Sequence, residues 1–148
     1  MSTPDYRPAS ESRPSAVTVA VGLLVIGAVL LIAGGLLATL VSFDSLRQAA
    51  PLTVTDEALN DYARLYRGAG ILFGLAGVAL IWFAAQARRR DLRARRAAMA
   101  LGLVVVVLVA VAAVFSGTHI LALLSLLPIV VGVLLLSRPA VLDWYAGG

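Results

Sequence analysis

Four apolar blocks, residues 16–43, 67–87, 97–115 and 120–136, constrain what this chain can fold into more than any other feature. A helix needs about 20 apolar residues to cross the roughly 30 Å hydrocarbon core of a bilayer. The fourth block is the shortest; its 17 residues rise about 25 Å at 1.5 Å each, just enough to cross. Open strands are excluded, because their edge amides would go unsatisfied in lipid. A closed barrel would need alternating ten-residue segments, and none is present. The chain is 61% apolar, whereas soluble domains lie nearer about 45–50%, and its charged residues gather between the blocks. The expectation is an all-α membrane protein, with four transmembrane helices in an up-down bundle.

The flanks behave differently. Residues 1–15, MSTPDYRPASESRPS, are polar and contain three prolines, and they bury too little apolar surface to offset chain entropy. They are expected to form a disordered tail. The following block is far longer than the usual 7–15 residue core of a signal peptide, so it is read as a retained span. Residues 44–66 form the one sizeable outer loop, and 138–148 form a second tail.

Arginine placement sets the expected orientation. Every basic residue is arginine, and six of them, Arg88, Arg89, Arg90, Arg93, Arg95 and Arg96, crowd between the second and third blocks. Together with the two tails they make nine arginines on one side, against Arg47, Arg64 and Arg67 on the other. The positive-inside rule then puts both termini and the arginine loop in the cytoplasm. The run is read as a topology anchor beside anionic headgroups, with a specific lipid or partner site as the alternative. A nucleic-acid contact is disfavoured, since nine residues pinned between two spans offer little contact surface.

The outer loop carries start signals for a helix. Pro51 interrupts the chain, Thr55 is a candidate cap, and Asp56 and Glu57 suit a helix N-terminus. Leu59, Tyr62 and Tyr66 recur at helical spacing, which predicts one long helix from about Thr55 to Ala87. Asp56, Glu57 and Asp61 are read as a solvated helix start rather than a cation site. Asp91 is placed to cap a helix starting at Leu92. The turn SGTH, 116–119, holds the one histidine, His119, read as an interfacial polar group with proton transfer as the alternative. Trp144 and Tyr145 in the second tail fit either an amphipathic segment resting on headgroups or a docking peptide.

Within the spans the chemistry is sparse. No ionisable residue lies inside the four blocks except Arg67 at an outer edge, and such residues mark proton relays and substrate paths in most transporters. Thr18, Thr39, Ser125 and the backbone freed by Pro128 are the remaining polar candidates, and Pro128 is expected to bend its helix. Cysteine is absent, which removes disulfides, thiolate metal sites and cysteine nucleophiles. No catalytic, cofactor or metal residues are assigned. Small residues recur at i, i+4 in Gly34 and Ala38, Gly70 and Gly74, Ala98 and Gly102, and Ala113 and Gly117. The stretch GILFG, with Gly70 and Gly74 continued by Gly77, is the strongest candidate for close helix packing, inside the bundle or between subunits.

The polar tail, the outer acidic loop and the lead-in Arg13-Pro14-Ser15-Ala16-Val17 resemble small, largely uncharacterised four-span inner-membrane proteins of GC-rich actinobacteria. That resemblance implies a bacterial cytoplasmic membrane and brings no catalytic residues with it. Small multidrug transporters are similar in size but rely on a glutamate in the first span, which is lacking here. Quinone-linked thiol oxidoreductases need cysteine pairs. Fluoride channels need asparagine-bearing spans, whereas Asn60 lies in the outer loop. The functional expectation is a non-enzymatic accessory, assembly or scaffold subunit. Its partners are the bilayer and other membrane subunits or further copies of itself. The alternative is a small transporter or channel subunit working as an oligomer, and a lipid-modifying enzyme ranks last, because no acid–base or nucleophile–base pair can be drawn.

Overall fold

The computed structural model describes residues 13–115 and 120–147, and these form six helices and no strand. In chain order they are α1 (Ser15–Thr39), α2 (Phe43–Ala49), α3 (Asp56–Ala87), α4 (Leu92–Phe115), α5 (Ile120–Leu136) and α6 (Pro139–Ala146). Three of them, α1, α3 and α4, are long and apolar enough to cross a membrane; a fourth candidate arises if the bent pair α5–α6 counts as one span.

Local chemistry explains most of the boundaries. The α3 helix starts where Thr55 Oγ1 accepts from the Ala58 amide at 3.2 Å, freeing the helix to run 32 residues without a breaker. Asp91 Oδ1 accepts from the amides of Arg93 (2.9 Å) and Ala94 (3.2 Å) and so starts α4 at Leu92. The first block departs from expectation, because its helix stops at Thr39 rather than continuing to residue 43. There the Thr39 hydroxyl donates to Leu36 O, and Ser42 takes up the capping position of a new helix, α2. The carbonyl of Val41, left outside either helix, is taken by the Arg67 guanidinium of α3 (Nη2 at 2.7 Å). The expected outer loop 44–66 is therefore largely helical, as α2 and the first turns of α3. Arg47 ties the two together, donating to Val54 O and pairing with Asp56 at 3.2 Å.

The second tail is largely helical. It forms α6, started by Pro139 at the first helical position and turned 58° from α5. Pro128 lies within α5, which is helical on both sides of it.

In the bundle, α1 packs against α3 and α5, and α4 packs against the same two helices. Leu24 and Leu31 of α1, Leu80 of α3, Val105 and Val109 of α4 and Ile129 of α5 are fully buried at the shared centre. The outward faces are as apolar as the interior. Ile26 and Val29 on α1, Ile71 and Leu75 on α3, Leu103 and Val107 on α4 and Leu127 and Leu134 on α5 are all exposed. A soluble monomer rarely shows such a continuous apolar girdle, whereas lipid covers it at no cost.

Candidate functional site at the arginine end of the bundle

The turn joining α3 to α4 collects the polar chemistry. Arg89 and Arg90 donate backbone N–H groups back to Gln86 O and Ala87 O, closing the last turn of α3 tightly. The chain reverses at Arg90, which has φ of 66°, the left-handed region that costs a side-chain-bearing residue roughly 1–2 kcal/mol. Its side chain offsets that cost. Arg90 Nε donates to Trp144 O of α6 at 2.9 Å, and the guanidinium stands over the Trp144 ring, 5.1 Å from its centroid.

Arg95 does more. The sequence reads it as one of six arginines anchoring the turn beside headgroups, but in the first turn of α4 it is only 5% exposed. Its Nε and Nη2 donate to Leu136 O, at 3.1 and 2.6 Å. Leu136 ends α5, so the guanidinium neutralises the negative end of that helix dipole. The same cation stands 5.4 Å from the ring centroid of Tyr145. Tyr145 in turn donates its hydroxyl to Ala87 O, the last carbonyl of α3, at 2.6 Å. Burial raises the Tyr145 pKa, with Arg95 pulling it partly back, so the phenol stays protonated and able to donate. With the folded pKa raised, this contribution is fully present below the ordinary tyrosine value of about 10 and is lost as pH rises through the folded value. Trp144 meets Tyr145 edge-on at 4.9 Å. Its indole N–H finds no acceptor among the described residues, so its contribution comes from the ring.

The six arginines therefore separate into two groups. Arg90 and Arg95 grip α6, while Arg88, Arg89, Arg93 and Arg96 are exposed. The pattern RRRDLRARR carries no signal for that division, which depends on where α6 returns. Arg13, ahead of α1, joins the same end by donating Nη2 to Arg88 O at 3.0 Å. Beside it a groove of about 550 Å³ opens, lined by Arg13, Trp82, Ala85, Gln86, Arg88 and Arg89.

The glycine positions also sort by geometry. A methyl group on Gly70 would sit 2.6 Å from Gly35 O and 2.9 Å from Ala38 Cβ, so α1 and α3 touch there backbone to backbone. Gly77 faces Ile32 and Ala28 O across the same seam. Gly74 departs from the expected face: a methyl there would meet nothing within 4 Å, because the seam follows positions 70 and 77 and leaves 74 on its flank. Gly35, which sequence reasoning passed over, is the true partner of Gly70; a methyl on it would collide with Gly70 O. The Gly34-Gly35 doublet inside an apolar block was the available signal. Elsewhere, Asp56 is held by Arg47, Tyr62 and Tyr66 stack at 5.8 Å, and His119 with its turn lies outside the described residues.

No family model matches the chain, and no curated protein or solved structure shows significant similarity to it. What the arrangement does has to be read from its own geometry. The arginine end joins four chain segments through cations directed at helix-end carbonyls and aromatic faces, and it leaves four further guanidiniums directed outward.

Proposed function

We propose that this is a four-span protein of the bacterial cytoplasmic membrane, with both termini inside, serving as a non-enzymatic accessory, assembly or scaffold subunit of a membrane complex. The convergence of the lead-in to α1, the arginine turn and α6 at one end supports an even number of crossings. Six arginines in that turn support a cytoplasmic placement for this end. Reporter fusions after Gly148 and inside 88–96 should read as cytoplasmic, and an insertion near Ala50 as external. An external C-terminal reporter would sink the four-span reading.

The observation that carries the scaffold role is how the interior is filled. Side chains of the bundle itself occupy the centre, and among the described residues the buried Arg95 and Ser125 side chains are both committed to backbone carbonyls. Such a centre favours a protein that works through its surfaces. Extraction in mild detergent after in-cell crosslinking should yield a stable stoichiometric membrane partner. Recovery as a pure homo-oligomer that passes ions in liposomes would transfer the assignment to a small transporter or channel subunit.

A further inference from the structure

We propose that the groove between the start of α1 and the end of α3 binds the phosphate group of an anionic phospholipid. Arg13, Arg88 and Arg89 line it together with Gln86, and no acidic residue does among the described residues. Guanidinium forks match phosphate oxygens in pairs, and a set of three arginines at one opening favours a phosphate over a neutral headgroup. Arg13 is held across the opening by its bond to Arg88 O, which uses one N–H and leaves the rest of its fork for a ligand. The α1 helix begins two residues later with no side-chain cap, adding partial positive charge to the same rim.

The groove continues into an apolar stripe. Trp82, Ala85, Gln86 and Arg89 follow the i, i+3, i+4, i+7 spacing of one helix face. Trp82 is 64% exposed and lies about 9 Å along the helix from Arg88, and tryptophan is a residue that favours the membrane interface. Further along the same stripe, Val78 and Leu75 are exposed and would lie beside an acyl chain. A free phosphate would use only the rim, whereas a phospholipid fills rim, tryptophan and stripe together. The remaining arginines are excluded by position. Arg90 and Arg95 are engaged with α6, and Arg93 and Arg96 do not line the groove.

The inference rests on reading the chain as a membrane protein and not on the scaffold role. It is tested on the full chain in neutral detergent, by native mass spectrometry during titration with phosphatidylglycerol or phosphatidylcholine of identical acyl chains. Preferential retention of phosphatidylglycerol is expected. Arg88→Gln/Arg89→Gln should weaken it about tenfold or more, as loss of charged hydrogen bonds implies, while Arg93→Gln/Arg96→Gln, with the same charge change in the same region, should weaken it less than about threefold. Trp82→Ala leaves charge and orientation untouched and should also weaken binding. Equal binding of the two lipids, equal losses for the two arginine pairs, or full retention by Trp82→Ala would overturn the site. Displacement by glycerol phosphate at concentrations equal to the lipid would overturn the lipid assignment in favour of a soluble phosphate. Alkaline carbonate extraction of membranes separates the two levels: a wild-type chain that washes out defeats the membrane reading itself, whereas a retained chain without lipid preference defeats this site alone.

Discussion

Gly70→Ala and Gly35→Ala are each expected to destabilise the bundle by roughly 1–3 kcal/mol, while Gly74→Ala, four residues away on the same helix, should be neutral or slightly stabilising. The added methyl at position 70 would lie 2.6 Å from a backbone oxygen, and at position 35 it would strike the facing carbonyl. Neither obstacle is a side chain that can rotate away, so the helices must separate along the seam and lose contacts over its length. Gly74 meets open space, so its substitution keeps only the helix-propensity gain, up to about 1 kcal/mol for alanine over glycine. Gly77→Ala should fall between, since the nearest atom belongs to the Ile32 side chain and the facing backbone oxygen, Ala28 O, is farther off at 3.0 Å. The Gly35→Ala/Gly70→Ala pair should cost less than the sum of its parts, because one separation relieves both clashes. Thermal unfolding in detergent, followed by monodispersity, provides the measurement. If the alanine at 74 proves as damaging as the one at 70, the seam is misplaced.

Arg95→Met should release α6 from the bundle. The change keeps most of the stem volume but removes the charged donor from Leu136 O and the cation from the Tyr145 ring. The Leu136 bonds anchor the end of α5, and the cation–ring contact that holds α6 itself contributes about 0.5–2 kcal/mol, so the undocked population of α6 should rise roughly two- to thirtyfold. The absence of cysteine makes a clean probe available. Val141 is fully buried under α6 and Ala140 is exposed, so thiol labelling of Val141→Cys should be slow in an otherwise native chain and accelerate by that factor with Arg95→Met. Ala140→Cys should label quickly in both. Tyr145→Phe should give a smaller acceleration, since it removes a neutral donor from Ala87 O and keeps the ring under Arg95. An unchanged labelling rate at position 141 in Arg95→Met would show that α6 is held by its apolar contacts alone.

Much of this protein was legible in one dimension because lipid-like composition and helix signals are local. The apolar blocks announce helices wherever they occur, since a long apolar run can satisfy its backbone only internally. The starts of α3 and α4 follow from Thr55 and Asp91, whose side chains reach amides two or three residues ahead. What the sequence could not decide were the meetings between distant segments. The Arg95 in ARRRDLRARRA looks like its neighbours until α5 ends 41 residues later and presents the Leu136 carbonyl. Gly34 and Gly35 carry no label saying which of them faces Gly70, because that depends on the rotation of α1 against α3. A helix shows its neighbours' identities at fixed spacing, but its azimuth is set by the summed packing of every helix around it, and only the tertiary structure contains that sum.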